Sequence, residues 1–204
     1  MPTKNLLAII LVHVISLIAM EAKDYALGTS HTGYFFNLAM AWTPVALLYL
    51  LKVSYNHASG PIKPLIIFFF GTWLLFFPNA TYLIVDPVLH VKSLLDLIVY
   101  APSIILGIMI VVYSLKEIED MFTPYFSEEV VSGILAAIFY TTSFGLYLGL
   151  FGRWNSWDLF TQPIQLLTWS YGHILTSAPF CLASIVGLAV TYFLGKKILN
   201  PCLY

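Results

Sequence analysis

Six long apolar segments, separated by short polar stretches, recur along this chain. They cover about residues 6–20, 34–51, 65–85, 94–115, 130–151 and 174–194. Most approach the roughly 20 residues that an α-helix needs to cross a bilayer. Only helices and closed barrels satisfy every backbone group in lipid, and these unbroken runs lack the alternation of a barrel strand. The segments therefore predict an all-α polytopic membrane helix bundle with about six transmembrane helices.

Composition excludes a soluble fold and gives no sign of nucleic-acid binding. Of the 204 residues, 60% are hydrophobic and 9% are charged, whereas a soluble domain carries about 25% charged residues. The formal net charge is −1 and the sequence has no basic cluster, so it offers no surface for neutralising phosphates. We expect one integral membrane domain over residues 1–204, in contact with the lipid bilayer and with no nucleic-acid partner.

The basic residues between the spans predict the orientation, because cytoplasmic loops are enriched in lysine and arginine. Six fall on one side and three on the other: Lys4, Lys52, Lys63, Lys116, Lys196 and Lys197 against Lys23, Lys92 and Arg153. This bias predicts that both termini are cytoplasmic and that Arg153 lies on the outer side.

The third apolar segment contains a proline that should break its helix. Pro78 has no N–H and its ring clashes one turn back, so the carbonyl of Leu74 loses its usual partner. In a bilayer that deficit must be met by a neighbouring helix, a side chain or water. Asn79 offers an amide beside the break, and Tyr82 follows one turn later. Both residues either complete a satisfied kink or belong to a binding site.

Asp86 and His90 follow the break, near the predicted outer interface. Asp86 before Pro87 is typical of a helix start, with aspartate as the cap and proline at the first helical position. In such a helix His90 lies on roughly the same face as Asp86, so the two could share a proton or a metal ion. Capping alone and a role in a site are both open.

A second polar segment, Arg153 to Asp158, precedes the last span. Its arginine can pair with a carboxylate or hold an anionic group. Asn155 and Ser156 are common turn residues, which weakens any case for a serine nucleophile, and Trp157 suits the membrane interface. Beyond it, Pro163 suits the first position of a helix. Residues 159–173 therefore predict a short interfacial helix that lies on the outer surface or dips into it.

Other titratable residues share this predicted side or lie within the first span. Glu21, Asp24 and His31 join the two polar segments there, and such carboxylates and imidazoles could hold a divalent cation. No compact metal motif such as H-E-x-x-H is present, so metal and cofactor both stay unassigned. His13, near the middle of the first span, is costly in hydrocarbon and is either functional or a neutral packing residue.

Two motifs are informative when they are taken together. They are Pro78-Asn79-Ala80-x-Tyr82 with Asp86 and His90, and Arg153-x-Asn155-Ser156-Trp157-Asp158. The pair resembles an uncharacterised bacterial membrane family, domain of unknown function 1361, over most of the chain. In that family the first motif is often P-N-A-P-Y, and here Thr81 replaces the second proline, which implies a less rigid break. The resemblance implies a bacterial plasma membrane and supplies no activity.

The leading functional hypothesis is an outward-facing polar pocket that binds a small polar or lipid-linked ligand, in a transporter or a sensor. Its expected binding residues are Asn79, Tyr82, Arg153, Asn155 and Trp157. Broken helices that expose backbone groups are typical of transporters. Six helices without an inverted repeat make a small transporter monomer. A homodimer is therefore a further expectation.

Two other functions remain open on these residues. One is a membrane-embedded hydrolase or transferase acting on a lipid-linked substrate, with Asp86, His90 and Asp158 as catalytic candidates. The other is an assembly partner without chemistry. The sequence contains no recognisable nucleophile or metal motif, so it does not decide whether the protein is an enzyme.

Overall fold

The computed structural model describes residues 3–28, 32–56 and 63–203, and within them every regular element is a helix. The helices are α1 Thr3–Leu27, α2 Thr32–Met40, α3 Thr43–Asn56, α4 Lys63–Phe76, α5 Pro78–His90, α6 Leu94–Phe122, α7 Glu128–Gly152, α8 Asp158–Thr161, α9 Pro163–His173 and α10 Ala178–Leu203. The predicted all-α fold is confirmed.

Five helical segments of the described chain are long and apolar enough to cross a membrane. They are Tyr34–Ser54, Leu65–Leu89, Leu94–Phe122, Glu128–Gly152 and Ala178–Ile198. These match five of the six predicted spans, and the protein is therefore a multi-pass membrane protein in contact with lipid. The first predicted span, 6–20, lies within α1, which is not among the five, so the count of six stays a prediction.

Helix α6 packs against α1, α5 and α10. Its side chains Leu106 and Ile110 are fully buried in the same core as Trp73 and Phe77 of the third span. The rings of Trp73 and Phe77 stack with their centroids 4.6 Å apart. The core therefore reaches directly to the proline break and holds it in place.

Ion pairs mark two ends of the bundle. One end, called here the Glu117 end, carries Lys52–Glu117, Lys196–Glu119 and Lys116–Asp120. At the other, called the Arg153 end, Lys23 of α1 pairs with Asp96 of α6 at 2.7 Å. Burial by itself lowers the pKa of Lys23, but the hydrogen bond to Asp96 and the attraction of that carboxylate outweigh burial and raise it.

The break falls where the proline predicts it. Helix α4 ends at Phe76 and α5 begins at Pro78, with Phe77 between them. The N–H of Phe77 donates to the carbonyl of Trp73 at 2.8 Å, and the N–H of Ala80 donates to that of Phe77 at 3.1 Å. Helix α7 packs closely here, since a Cβ added to Gly145 would lie 2.6 Å from Cγ of Pro78.

The prediction of a helix start at Asp86 is wrong. Helix α5 runs through Asp86 and Pro87 to His90. It begins at Pro78 instead, and Pro87 lies in its last turn, where the missing N–H takes the usual donor from the carbonyl of Leu83. Asp86 is therefore a residue of the helix body and not its cap.

Candidate ligand-binding site

The chain reverses direction after α7 and returns into the bundle. Arg153 caps α7 in the left-handed conformation with φ 57°, and the N–H of Trp154 donates to the carbonyl of Leu148 at 3.1 Å. Residues 153–156 then run back alongside α7, where a Cβ on Gly149 would lie 3.7 Å from the carbonyl oxygen of Trp154. The loop therefore lies against α7, and the short helices α8 and α9 follow it over residues 158–173; whether they lie on the membrane surface or dip into it stays a prediction.

The returning loop is bonded to the break in the third span. The hydroxyl of Ser156 donates to the carbonyl of Leu75 at 3.0 Å. The amide of Asn79 donates to the carbonyl of Phe76 at 3.0 Å and to the Ser156 hydroxyl at 3.2 Å. We call these three hydrogen bonds the Asn79–Ser156 bridge. It supplies donors to the last turn of α4, which Pro78 deprives of helical partners.

The sequence predicted that a carbonyl group at the break would lack its helical donor, but it did not predict all of the groups that take part. The carbonyl of Leu74 was expected to need a partner, whereas the donors go to Leu75 and Phe76, one and two residues further on. Asn79 acts as expected. Ser156 was assigned only to a turn, and its contact with Leu75 joins the two polar motifs deep in the bundle. Leu75 lies roughly 15 Å along a span of roughly 37 Å, at 1.5 Å per residue.

Asp158 and Trp157 hold the turn rather than face an open space. The Asp158 carboxylate is buried and accepts the N–H of Asn155 at 2.7 Å and the hydroxyl of Thr161 at 3.2 Å. The Trp157 ring packs edge-on against Phe36 of α2, with centroids 5.6 Å apart. These contacts fix the shape of the loop that carries Asn155 and Ser156.

A cavity of about 680 Å³ lies between the loop, the broken span and helices α2, α7 and α9. Its polar lining residues are Asn37, Asn79, Tyr82, Arg153, Asn155, Ser156 and Ser170. Apolar walls come from α4, α7 and α9, and include Leu75, Phe144, Leu148, Leu166 and Leu167. The volume is within the range of pockets that enclose a small-molecule ligand.

Arg153 is the charged residue of this lining, and it is exposed. All ten acidic residues of the chain belong to its described part. None of the ion pairs found there involves Arg153, so the predicted pairing with Asp86 or Asp158 is not observed. The Asp158 carboxylate is instead engaged by Asn155 and Thr161. The guanidinium group is therefore available to a ligand.

Tyr82 connects the cavity to Asp86. Its hydroxyl pairs with the Asp86 carboxylate, and Tyr82 and Arg153 both line the cavity. Tyr82 lines the cavity, whereas Asp86 is not among the lining residues. The side chain of His90 lies outside the described residues, so its predicted partnership with Asp86 stays a prediction.

Four of the five expected binding residues thus surround one cavity, namely Asn79, Tyr82, Arg153 and Asn155. Trp157 does not line it. Asn37 and Ser170 were missed. An asparagine within an apolar span is a signal that could have found the first, because polar groups in membrane helices are costly.

The remaining polar candidates lie apart from this cavity. The Nδ1 atom of His13 accepts the Trp42 indole N–H at 3.0 Å, which supports a neutral packing histidine. The His173 ring stacks on Trp169 at 3.9 Å. Within the described residues, no three His, Cys, Asp or Glu side chains are grouped as a metal site, and His31 lies outside those residues.

A model of the family described as "Protein of unknown function (DUF1361)" matches residues 36–193. No curated protein and no solved structure matches the chain. The matched region contains both polar motifs and every residue that lines the cavity, from Phe36 to Ser170.

Proposed function

This chain belongs to the DUF1361 family of proteins of unknown function, and we propose that it binds a small polar or lipid-linked ligand inside the membrane domain, as a transporter or a sensor. The observation that carries the proposal is the Asn79–Ser156 bridge. It fastens a returning loop to a broken helix on the wall of one cavity.

Membrane physics supports a ligand site at this position. Non-helical backbone at membrane depth is tolerated only where protein buries it or where it lines a water-filled cavity. Transporters use broken helices in this way, so that freed backbone groups and helix ends meet the substrate near the middle of the bilayer. The loop of residues 153–156 and the break at Pro78 provide both features around one space.

We propose a bacterial plasma-membrane location for a single domain, with both termini in the cytoplasm and the Arg153 end outside. The support is the positive-inside rule, since Lys52, Lys116 and Lys196 lie together at the Glu117 end. A homodimer is part of the same proposal, because the monomer is small for a transporter.

The orientation can be tested with a cysteine placed at Thr168 of a C181A/C202A chain. That cysteine should react with an impermeant thiol reagent added to whole cells. Labelling only after the cells are opened would reverse the orientation.

Bound ligand can be sought directly by native mass spectrometry of protein extracted in a mild detergent. Leu167 lines the cavity from α9, whereas Ile164 lies on the same helix, is 75% exposed and does not line it. Wild type and I164W should carry the same bound small molecule, and L167W should have lost it because tryptophan fills the space. The same adduct on all three proteins would contradict a ligand site in this cavity.

A catalytic function remains the second candidate because the Tyr82–Asp86 pair adjoins the cavity close to Arg153. A carboxyl group hydrogen-bonded to a phenol can serve as an acid or a base. The substitution D86N separates the two functions. A hydrolase or transferase loses turnover of its bound molecule and accumulates it, whereas a binding protein carries the same adduct as wild type.

A further inference from the structure

The lining of the cavity changes character along α7. Arg153 follows the end of that helix, whereas Leu148 and Phe144 lie five and nine residues earlier. At 1.5 Å per residue, nine residues place Phe144 roughly 13 Å from Arg153 along the helix axis. Leu75 contributes a further apolar wall. The cavity therefore has a cationic end and an apolar end.

The polar groups of the Asn79–Ser156 bridge do not make the deeper wall a strong polar site. The Asn79 amide donates to the Phe76 carbonyl and to Ser156, and the Ser156 hydroxyl donates to the Leu75 carbonyl. These contacts use both amide protons and the hydroxyl proton. The Arg153 guanidinium, with its five N–H donors, is thus the strongest donor that the lining offers to a ligand.

The charge of the lining limits the charge of the ligand. Arg153 contributes one positive charge, and no carboxylate lies among the described lining residues. A single guanidinium matches one oxyanion, which it can hold through two parallel hydrogen bonds. A headgroup carrying several negative charges would leave the others without a counterion in a partly apolar space.

Building on the proposed function, we infer that the ligand is an amphipath with one negative charge. Its oxyanion, a phosphodiester or carboxylate, pairs with Arg153. Its hydrocarbon chain lies against Leu148, Phe144 and Leu75. This chemistry is that of an anionic lipid or lipid-linked headgroup, and the same headgroup without its chains lacks the apolar half of the interaction.

Delipidated protein titrated with three probes tests this inference by native mass spectrometry. The probes are short-chain phosphatidylglycerol, phosphatidylcholine with the same chains, and glycerophosphoglycerol, which has the anionic headgroup alone. Phosphatidylglycerol should bind most tightly. The substitution R153Q should weaken its binding about ten- to a hundredfold, as expected for a lost charge-assisted hydrogen bond. It should weaken phosphatidylcholine binding less, because the choline cation already offsets the charge of that phosphodiester, and R153K should restore part of the phosphatidylglycerol binding.

Lys92 provides the matched control, because it is an exposed basic residue that does not line the cavity. K92Q should bind phosphatidylglycerol like wild type. Equal weakening in K92Q and R153Q would show a general attraction for anionic lipid and overturn the inference. Glycerophosphoglycerol binding as tightly as the lipid would overturn the role of the hydrocarbon chain. If L167W binds all three probes like wild type, the proposed ligand site in the cavity is wrong as well. If L167W loses binding of the probes but R153Q keeps it, only the inference about the charge of the ligand is wrong.

Discussion

Replacing Asn79 and Ser156 with alanine, singly and together, measures how strongly the Asn79–Ser156 bridge stabilises the broken span. The N79A substitution removes the bonds to Phe76 and Ser156, and S156A removes those to Asn79 and Leu75. The double substitution removes three hydrogen bonds and not four, because one bond is shared. The two effects on the free energy of unfolding should therefore not add.

The expected departure from additivity equals the free energy of the one shared hydrogen bond, for which values within membrane proteins are known. Such bonds average about 0.6 kcal/mol, so each single variant should lose about 1.2 kcal/mol and the double variant about 1.8 kcal/mol. The coupling energy is then about 0.6 kcal/mol, with an upper value of about 1.7 kcal/mol. Reversible unfolding in mixed detergent micelles, followed by circular dichroism, measures all four free energies.

Thr168 supplies the control pair for this cycle. Its hydroxyl donates to the carbonyl of Ile164 within α9, at 2.8 Å, and the structure shows no bond between Thr168 and Ser156. T168A and S156A should add within experimental error, as distant sites usually do. Strict additivity of N79A and S156A as well would refute the bridge as an energetic link between the loop and the broken span.

Two further pairs of substitutions test the packing of the break and the Arg153 end. G145A should destabilise the protein by about 1 to 3 kcal/mol through overpacking, because its Cβ would lie 2.6 Å from Cγ of Pro78. G133A on the same helix places its Cβ in open space and should not destabilise the protein. The same unfolding assay compares the two variants. D96N should lower the free energy of unfolding more than K23M does. Lys23 has one carboxylate partner, but Asp96 also accepts hydrogen bonds from Ser93 and the backbone of Lys92. Equal losses from the Lys23 and Asp96 variants would show that these additional bonds are unimportant.

The spans and the break could be predicted because their causes are local. A run of apolar residues is sufficient to predict a helix in lipid, and Pro78 removes its own hydrogen bond wherever it stands. The same local reading failed at Asp86 and Pro87. That dipeptide suits a helix start, but it also fits near the end of a helix that began at Pro78.

The contacts that build the cavity have distant partners and leave no local pattern. Ser156 and Leu75 are 81 residues apart in sequence, and Asn79 and Ser156 are 77 apart. A turn-forming serine gives no sign of which carbonyl it will meet. The same holds for Arg153, because its missing ion pair depends on Asp158 being engaged by Asn155 and Thr161.

The backbone of Arg153 gives an independent reason to assign it a function. Among the residues that the structure describes, Arg153 is the non-glycine residue with a positive φ. It stands directly after α7, at a position where glycine is favoured. A side chain in the left-handed conformation costs about 1 to 2 kcal/mol. Because Arg153 makes no observed ion pair that would offset this cost, the residue is better explained by binding than by stability.

This argument predicts opposite effects of one substitution on stability and on binding. R153G should keep the free energy of unfolding or raise it by about 1 kcal/mol, because glycine relieves the strained backbone. The same protein should bind phosphatidylglycerol as weakly as R153Q. Unfolding in mixed micelles and lipid titration by native mass spectrometry measure the two quantities on one preparation. A clear loss of stability in R153G would mean that the arginine holds the loop itself, and the case for a ligand-binding guanidinium would lose this support.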